Sequence, residues 1–158
     1  MCTVQKGDIE EQIEVILRGG QFRQLMELYF AHIREKYGLK RIELEVLYYL
    51  SQGGGQNTAI DVCRALRANK GHVSQAMDNL RKKGLLKACQ DSEDRRYFHF
   101  ILLEPAYEII RQLTDEFSRL NKAIFNGFDQ KELEEFKEMM SRVGKNMDKV
   151  IHELEDRR

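Results

Sequence analysis

Long apolar runs, paired cysteines and net charge are all missing from this chain. No stretch approaches the roughly 20 consecutive apolar residues of a membrane-spanning helix. Met1 to Ile9 lacks the basic-then-apolar order of a signal peptide. The expectation is a soluble cytoplasmic protein with no membrane partner. Cys2, Cys63 and Cys89 fall at no paired or CxxC spacing, which argues against a disulfide framework. His32, His72, His99 and His152 are scattered, with no close cluster of ligands, so neither a metal nor another cofactor is expected. No nucleophile–base pairing or phosphate loop is found either, which makes an enzyme the least favoured class.

The charge balance needs a closer look. Lys and Arg number 26, and so do Asp and Glu, giving a net charge of +0, which argues against a generic nucleic-acid binder. The distribution says more. From Asp61 to Phe100, nine basic residues stand against five acidic ones, leaving that segment at +4. From Leu103 onward the chain leans acidic. A basic working face on a neutral body fits this asymmetry.

The stretch from Asn69 to Leu102 organises the rest. Val73, Met77 and Leu80, with Ala76 beside them, fall on one face at helical spacing. Asn69 suits an N-cap and Gly84 a C-terminal stop. The opposite face carries Lys70, His72, Ser74, Gln75, Asp78 and Asn79, which have the lengths and groups to reach base edges and phosphates. The polar tip Asp91-Ser-Glu-Asp-Arg-Arg96 then separates two strand-like runs, as in a hairpin. Upstream, Thr58-Ala-Ile-Asp61 matches a capping box and starts a helix expected to bury Ile60, Cys63 and Leu66. This helix, a turn at Arg67 to Lys70 and the Asn69 helix make a helix-turn-helix. The predicted fold is mainly α with a small β wing: a winged helix-turn-helix flanked by N- and C-terminal dimerisation helices.

The flanks are helical too. Ile9, Ile13, Ile16 and Leu17 make a short amphipathic stretch, and Gly19-Gly20 predicts a break or kink. Phe22 to about Tyr37 resumes helical spacing, and Gly38 stops it. Arg41 to Ser51 follows, with Ile42, Val46, Leu47 and Leu50 inward, and Gly53 to Gly55 ends it. Pro105, the only proline, opens a long helix striped by Ala106, Ile109, Ile110, Leu113, Phe117, Leu120 and Ile124. Gly127 ends that helix, and Asp129 with Glu132 caps the next. There Leu133, Phe136, Met140, Val143, Met147, Val150 and Leu154 recur in alternating steps of three and four, a coiled-coil-like seam. One small winged helix cannot cover so much apolar helix, and a second copy of the chain can, as a two-fold dimer. The domains expected are residues 1–38 for dimerisation, 39–104 for DNA binding and 105–158 for dimerisation.

In its order of elements, roughly from Phe22 to Ile151, the chain resembles the MarR family of bacterial transcription regulators. Asp91-Ser-Glu-Asp-Arg-Arg96 is similar to the family's wing tip, and Val73 to Leu86 resembles its recognition helix and the turn that closes it. Ser92 stands where the family often has proline, and Gln75 where it often has a basic residue.

In a helix-turn-helix the second helix presents its N-terminal part to the major groove. Gly71, His72, Ser74 and Gln75 are therefore the base-readout candidates, and Lys70, Asn79, Lys82 and Lys83 the phosphate candidates. The resemblance implies that Arg95 enters the minor groove, whose concentrated negative potential attracts arginine. Arg96 completes the DNA-binding set. Of the two carboxylates Asp91 and Asp94, at least one should orient an arginine, and Arg96 is the favoured partner. The partners expected are double-stranded DNA, a second copy of the chain and a small-molecule effector. The resemblance implies an effector pocket between the dimerisation helices and the winged helix, for which Phe22, Met26, Tyr29, Phe30, Tyr48 and Tyr49 are the candidate lining. The function expected is a homodimeric repressor of a pseudo-palindromic operator, released by that effector. Two alternatives stand beside it: a winged helix that binds protein, and a regulator that senses oxidation through Cys2 or Cys89.

Overall fold

The structure is a computed structural model that describes residues 19–92 and 94–157. The Ile9 to Leu17 stretch and Cys2 lie outside the described residues. Nine elements follow one another: α1 (Gly19–Tyr29), α2 (Ala31–Tyr37), α3 (Arg41–Ser51), α4 (Ala59–Leu66), α5 (Lys70–Lys82), β1 (Leu86–Gln90), β2 (Phe98–Leu102), α6 (Glu104–Ile124) and α7 (Gln130–Glu155). They form two compact units, one up to Thr114 and one from Asp115 on. None of the described helices is long and apolar enough to cross a membrane.

The first unit has the hydrophobic core. Ile33, Leu39, Leu44, Val46, Leu47, Val62, Val73, Ala76, Met77, Leu80, Leu85, Leu86, Ala106, Ile109 and Leu113 are buried in it. Burying each of the larger side chains is worth about 1.5–3 kcal/mol. The core therefore gathers one stripe from each of α3, α4, α5 and α6, and the hairpin contributes Leu86. Strands β1 and β2 are antiparallel, with Leu86 opposite Leu102 and Gln90 opposite Phe98. The segment before α4 adds a short third edge: Thr58 bridges His99, and Phe100 N–H donates to Asn57 O at 2.9 Å.

Four local expectations differ from what is observed. The Phe22 to Tyr37 spacing predicts one helix, and the structure has two. Phe30 falls out of the helical region at φ −93°, ψ 5°, its ring buried and set edge-on to Tyr29 at 5.3 Å between centroids. Gly19 and Gly20 are helical rather than broken, opening the described part of α1. Ile60 is 48% exposed, and Val62, at 0%, takes its place in the core. The cap sets this phase, since with Thr58 at the N-cap the inward face of α4 runs through Ala59, Val62, Cys63 and Leu66. In α3, Ile42 and Leu50 are half-buried, whereas Leu44 and Glu43 are buried.

The helix ends follow the capping chemistry. Gly38 (φ 59°) and Gly84 (φ 69°) adopt the left-handed conformation that closes α2 and turns the chain out of α5. Leu39 N–H reaches Arg34 O at 2.8 Å and Leu85 N–H reaches Leu80 O at 2.9 Å, satisfying carbonyls each helix would leave open. In the second unit, Asp129 and Glu132 exchange hydrogen bonds at 2.9 and 2.8 Å to start α7. Phe125 packs against Phe128 and Phe136 there. No residue of α7 is buried. Its seam residues Phe136, Met140, Val143, Met147, Val150 and Leu154 are between 37% and 56% exposed.

Candidate nucleic-acid interface

The helix-turn-helix is built from its caps. Thr58 Oγ1 accepts from Asp61 N–H at 3.3 Å while the Asp61 carboxylate accepts from Thr58 N–H at 3.0 Å. The Thr58 hydroxyl also donates to that carboxylate, and these bonds hold Asp61 below the usual carboxylate range. Arg67, the only described non-glycine residue with positive φ, makes the turn at φ 47°. Asn69 then caps α5, its Oδ1 accepting from Gly71 N–H at 2.8 Å.

Helix α5 divides sharply by face. Val73, Ala76, Met77 and Leu80 are buried. Lys70, Gly71, His72, Ser74, Gln75 and Lys82 are exposed. The predicted readout residues thus share the free face of the first two turns. This face can offer hydrogen-bond donors and acceptors without disturbing the core.

Asn79 goes elsewhere. Its Nδ2 donates to Glu43 Oε1 at 3.0 Å, so the amide assigned to phosphate is occupied inside the fold. Lys83 also turns inward, donating to Glu43 Oε2 at 3.2 Å and to Gly38 O. Glu43 itself is 1% exposed and also accepts from Lys40 N–H at 3.1 Å. Burial alone would raise its pKa. The Lys40, Asn79 and Lys83 donors outweigh that, and the carboxyl stays below its ordinary value. Sequence reasoning missed Glu43. The signal was an acidic residue one turn ahead of the inward pair Val46 and Leu47.

The wing tip is a closed hydrogen-bonded turn. Asp91 N–H donates to Tyr97 O and Tyr97 N–H to Asp94 O, both at 3.0 Å. Asp94 N–H donates to Asp91 Oδ1 at 2.8 Å, and Arg96 N–H donates to Asp94 Oδ1 at 3.0 Å. The Arg96 guanidinium forks onto the same carboxylate, Nε to Oδ1 at 3.0 Å and Nη2 to Oδ2 at 2.7 Å. Those bonds lower the Asp94 pKa and raise that of Arg96. Asp94 is thus the carboxylate that holds Arg96. Arg95 is exposed, and its carbonyl is fixed by Gln90 Nε2 at 2.7 Å, which pins the backbone and leaves the side chain outside.

Asp91 has another role. Its Oδ2 lies 2.8 Å from His99 Nε2, and His99 Nδ1 lies 2.6 Å from Asn57 Oδ1. Neither His99 nor Asn57 was picked out for DNA binding, since periodicity carries no trace of a bond across 42 positions.

Of the residues proposed for an effector pocket, one lines a groove of the first unit. Tyr49 lines a groove with Leu50, Gly53, Gly55, Gln56, Asn57, Phe100, Ile101, Leu102 and Tyr107. Phe22, Met26, Tyr29, Phe30 and Tyr48 do not line that groove. Phe22 is exposed and Phe30 is buried. Cys63 and Cys89 are both free thiols, half-buried.

Residues 39–104 match the family model described as a winged helix DNA-binding domain. Among solved structures, the chain is similar to a MarR transcriptional regulator from Methanosarcina mazei Go1, at 22% identity and a TM-score of 0.70, over 92% of this chain and 99% of that one. It is also similar to a MarR/EmrR family transcriptional regulator from Acinetobacter sp. ADP1, at 18% identity and a TM-score of 0.75, over 88% and 97%. A third is MepR from S. aureus, solved as a MepR-DNA complex, at 19% identity and a TM-score of 0.54, over 80% and 95%. The chain carries a winged helix and has the fold of the MarR regulators.

Proposed function

We propose that this chain is a DNA-binding transcription regulator of the MarR family, acting in the cytoplasm as a homodimeric repressor. The observation that carries the reading is the division of α5. Its buried face is fixed in the core, while Gly71, His72, Ser74 and Gln75 stand free, and the same unit carries the arginine-tipped hairpin. Helix α5 reads the major groove, and Arg95 enters the minor groove. Lys70 and Lys82 meet phosphates, and Arg96 stays clasped to Asp94.

Dimerisation rests on α7, whose seam is apolar, regular and exposed in the single chain. Residues 1–38 and 105–158 are the proposed dimerisation segments, around a DNA-binding domain at 39–104. A two-fold dimer presents two recognition helices and two wings, so its operator is pseudo-palindromic, with half-sites about one helical turn apart. A small-molecule effector releases the DNA by shifting the spacing of the two recognition helices. Tyr29, Tyr48 and Tyr49, half-buried and with polar tips, are its proposed contacts.

The test is selection of bound sequences from random duplex DNA with the purified protein at moderate salt. An enriched inverted repeat is expected, bound more weakly as salt rises. Arg95→Ala should greatly weaken that binding and leave the dimer intact. A folded dimer that enriches nothing would overturn the reading.

A further inference from the structure

His99 sits where the wing meets the helix-turn-helix. Its ring lies between two oxygens, Asp91 Oδ2 at 2.8 Å from Nε2 and Asn57 Oδ1 at 2.6 Å from Nδ1. Each end of this bridge is tied to a working part. Asp91 Oδ1 accepts from Asp94 N–H at 2.8 Å, and Asp94 holds Arg96, so this end is the wing tip. Asn57 precedes the N-cap Thr58 of α4, and its carbonyl accepts from Phe100 N–H at 2.9 Å, so the other end is the start of the helix-turn-helix. Thr58 itself bridges His99 through the backbone.

The bridge has a chemical requirement. An imidazole ring can hold two polar anchors at once, one at each nitrogen. The charged and titratable groups around it are Asp91 on the hairpin, Asp61 on α4, with Arg64 beside it, and the Cys89 thiol opposite His99 across the ladder.

We propose that His99, held between Asn57 and Asp91, is a positioning residue for DNA binding. It sets the wing tip against the helix-turn-helix through its two ring nitrogens, one at each anchor. The inference rests on the regulator reading above and adds the residue that couples the two DNA-contacting parts.

The experiment measures equilibrium affinity of the full chain for the duplex it selects from random DNA. Thermal unfolding is followed in parallel. His99→Gln should weaken binding about tenfold with little change in thermal unfolding, since glutamine can serve only one anchor. Asn57→Asp keeps an acceptor oxygen and should retain wild-type binding, whereas Asn57→Ala should weaken it. If His99→Gln fails to fold, the contrast between Asn57→Asp and Asn57→Ala decides the matter. A folded His99→Gln that binds within about twofold of wild type overturns the proposal alone. Equal binding by the two Asn57 variants does the same. A wild type that selects no duplex overturns the regulator reading and this inference with it.

Discussion

Replacing Glu43 by glutamine tests how α5 is anchored. The carboxylate accepts Lys40 N–H at 3.1 Å and Lys83 Nζ at 3.2 Å through Oε2, and Asn79 Nδ2 at 3.0 Å through Oε1. Glutamine keeps the volume but offers one acceptor oxygen. Whichever way its amide lies, an NH₂ group then faces at least one donor. Losing a charge-assisted bond costs about 1.5–3 kcal/mol, and leaving a buried donor unpaired costs about 1–3 kcal/mol. The share from Lys83 is small, because its side chain is 35% exposed and water compensates it. The expected loss is about 2–4 kcal/mol. Urea unfolding at fixed protein concentration reads this as a midpoint lowered by about 1–2 M.

The pH dependence has a definite sign. The folded-state pKa of Glu43 lies below its ordinary 4.5, so its stabilisation is present above that value and is lost as pH falls through the folded pKa. The gap between wild type and Glu43→Gln should be full at neutral pH and shrink in acid. A penalty under about 0.5 kcal/mol at neutral pH, or one that persists undiminished in acid, would refute the anchoring argument.

Three further outcomes are expected. Asp94→Asn loosens the Arg96 clasp and should weaken operator binding severalfold in a filter or anisotropy assay, with little change in thermal unfolding. Met147→Glu places a charge in the α7 seam and should give a monomer at micromolar concentration by sedimentation, because an unpaired charge will not be buried at an interface. Thr58→Ala removes the N-cap of α4 and should cost about 1 kcal/mol in chemical denaturation.

What the sequence discloses follows the range of each interaction. The caps at Asn69, Thr58 and Asp129 are visible because each closes within two or three residues. The Asp94–Arg96 clasp is equally local. The buried stripe of α5 and the exposed seam of α7 are visible as periodicity. Glu43 with Asn79 and His99 with Asn57 are not, being 36 and 42 positions apart. Such polar pairs depend on how elements dock, and spacing along one element says nothing of that. The same limit explains Asn79. On a helical wheel it belongs with the exposed polar side chains, and only the neighbouring α3 reveals where its amide goes. Phe30 shows the converse, an apolar pattern continuous through a residue where the backbone leaves the helix.

The anchoring of α5 is lopsided along its length. Asn79 and Lys83, which tie it to α3, belong to its last turns, while the exposed face of the first turns, from Gly71 to Gln75, makes no contribution to the core. Exchanges of His72, Ser74 and Gln75 leave the folding free energy within about 0.5 kcal/mol, whereas a Cβ at Gly71 would meet the N-cap Asn69 Oδ1 at 3.2 Å. On the proposed reading, the operator preference set by these three side chains can therefore drift in evolution, or be redesigned residue by residue, at no cost to the fold. Val73, Met77 and Leu80, on the far side of the same helix, have no such freedom.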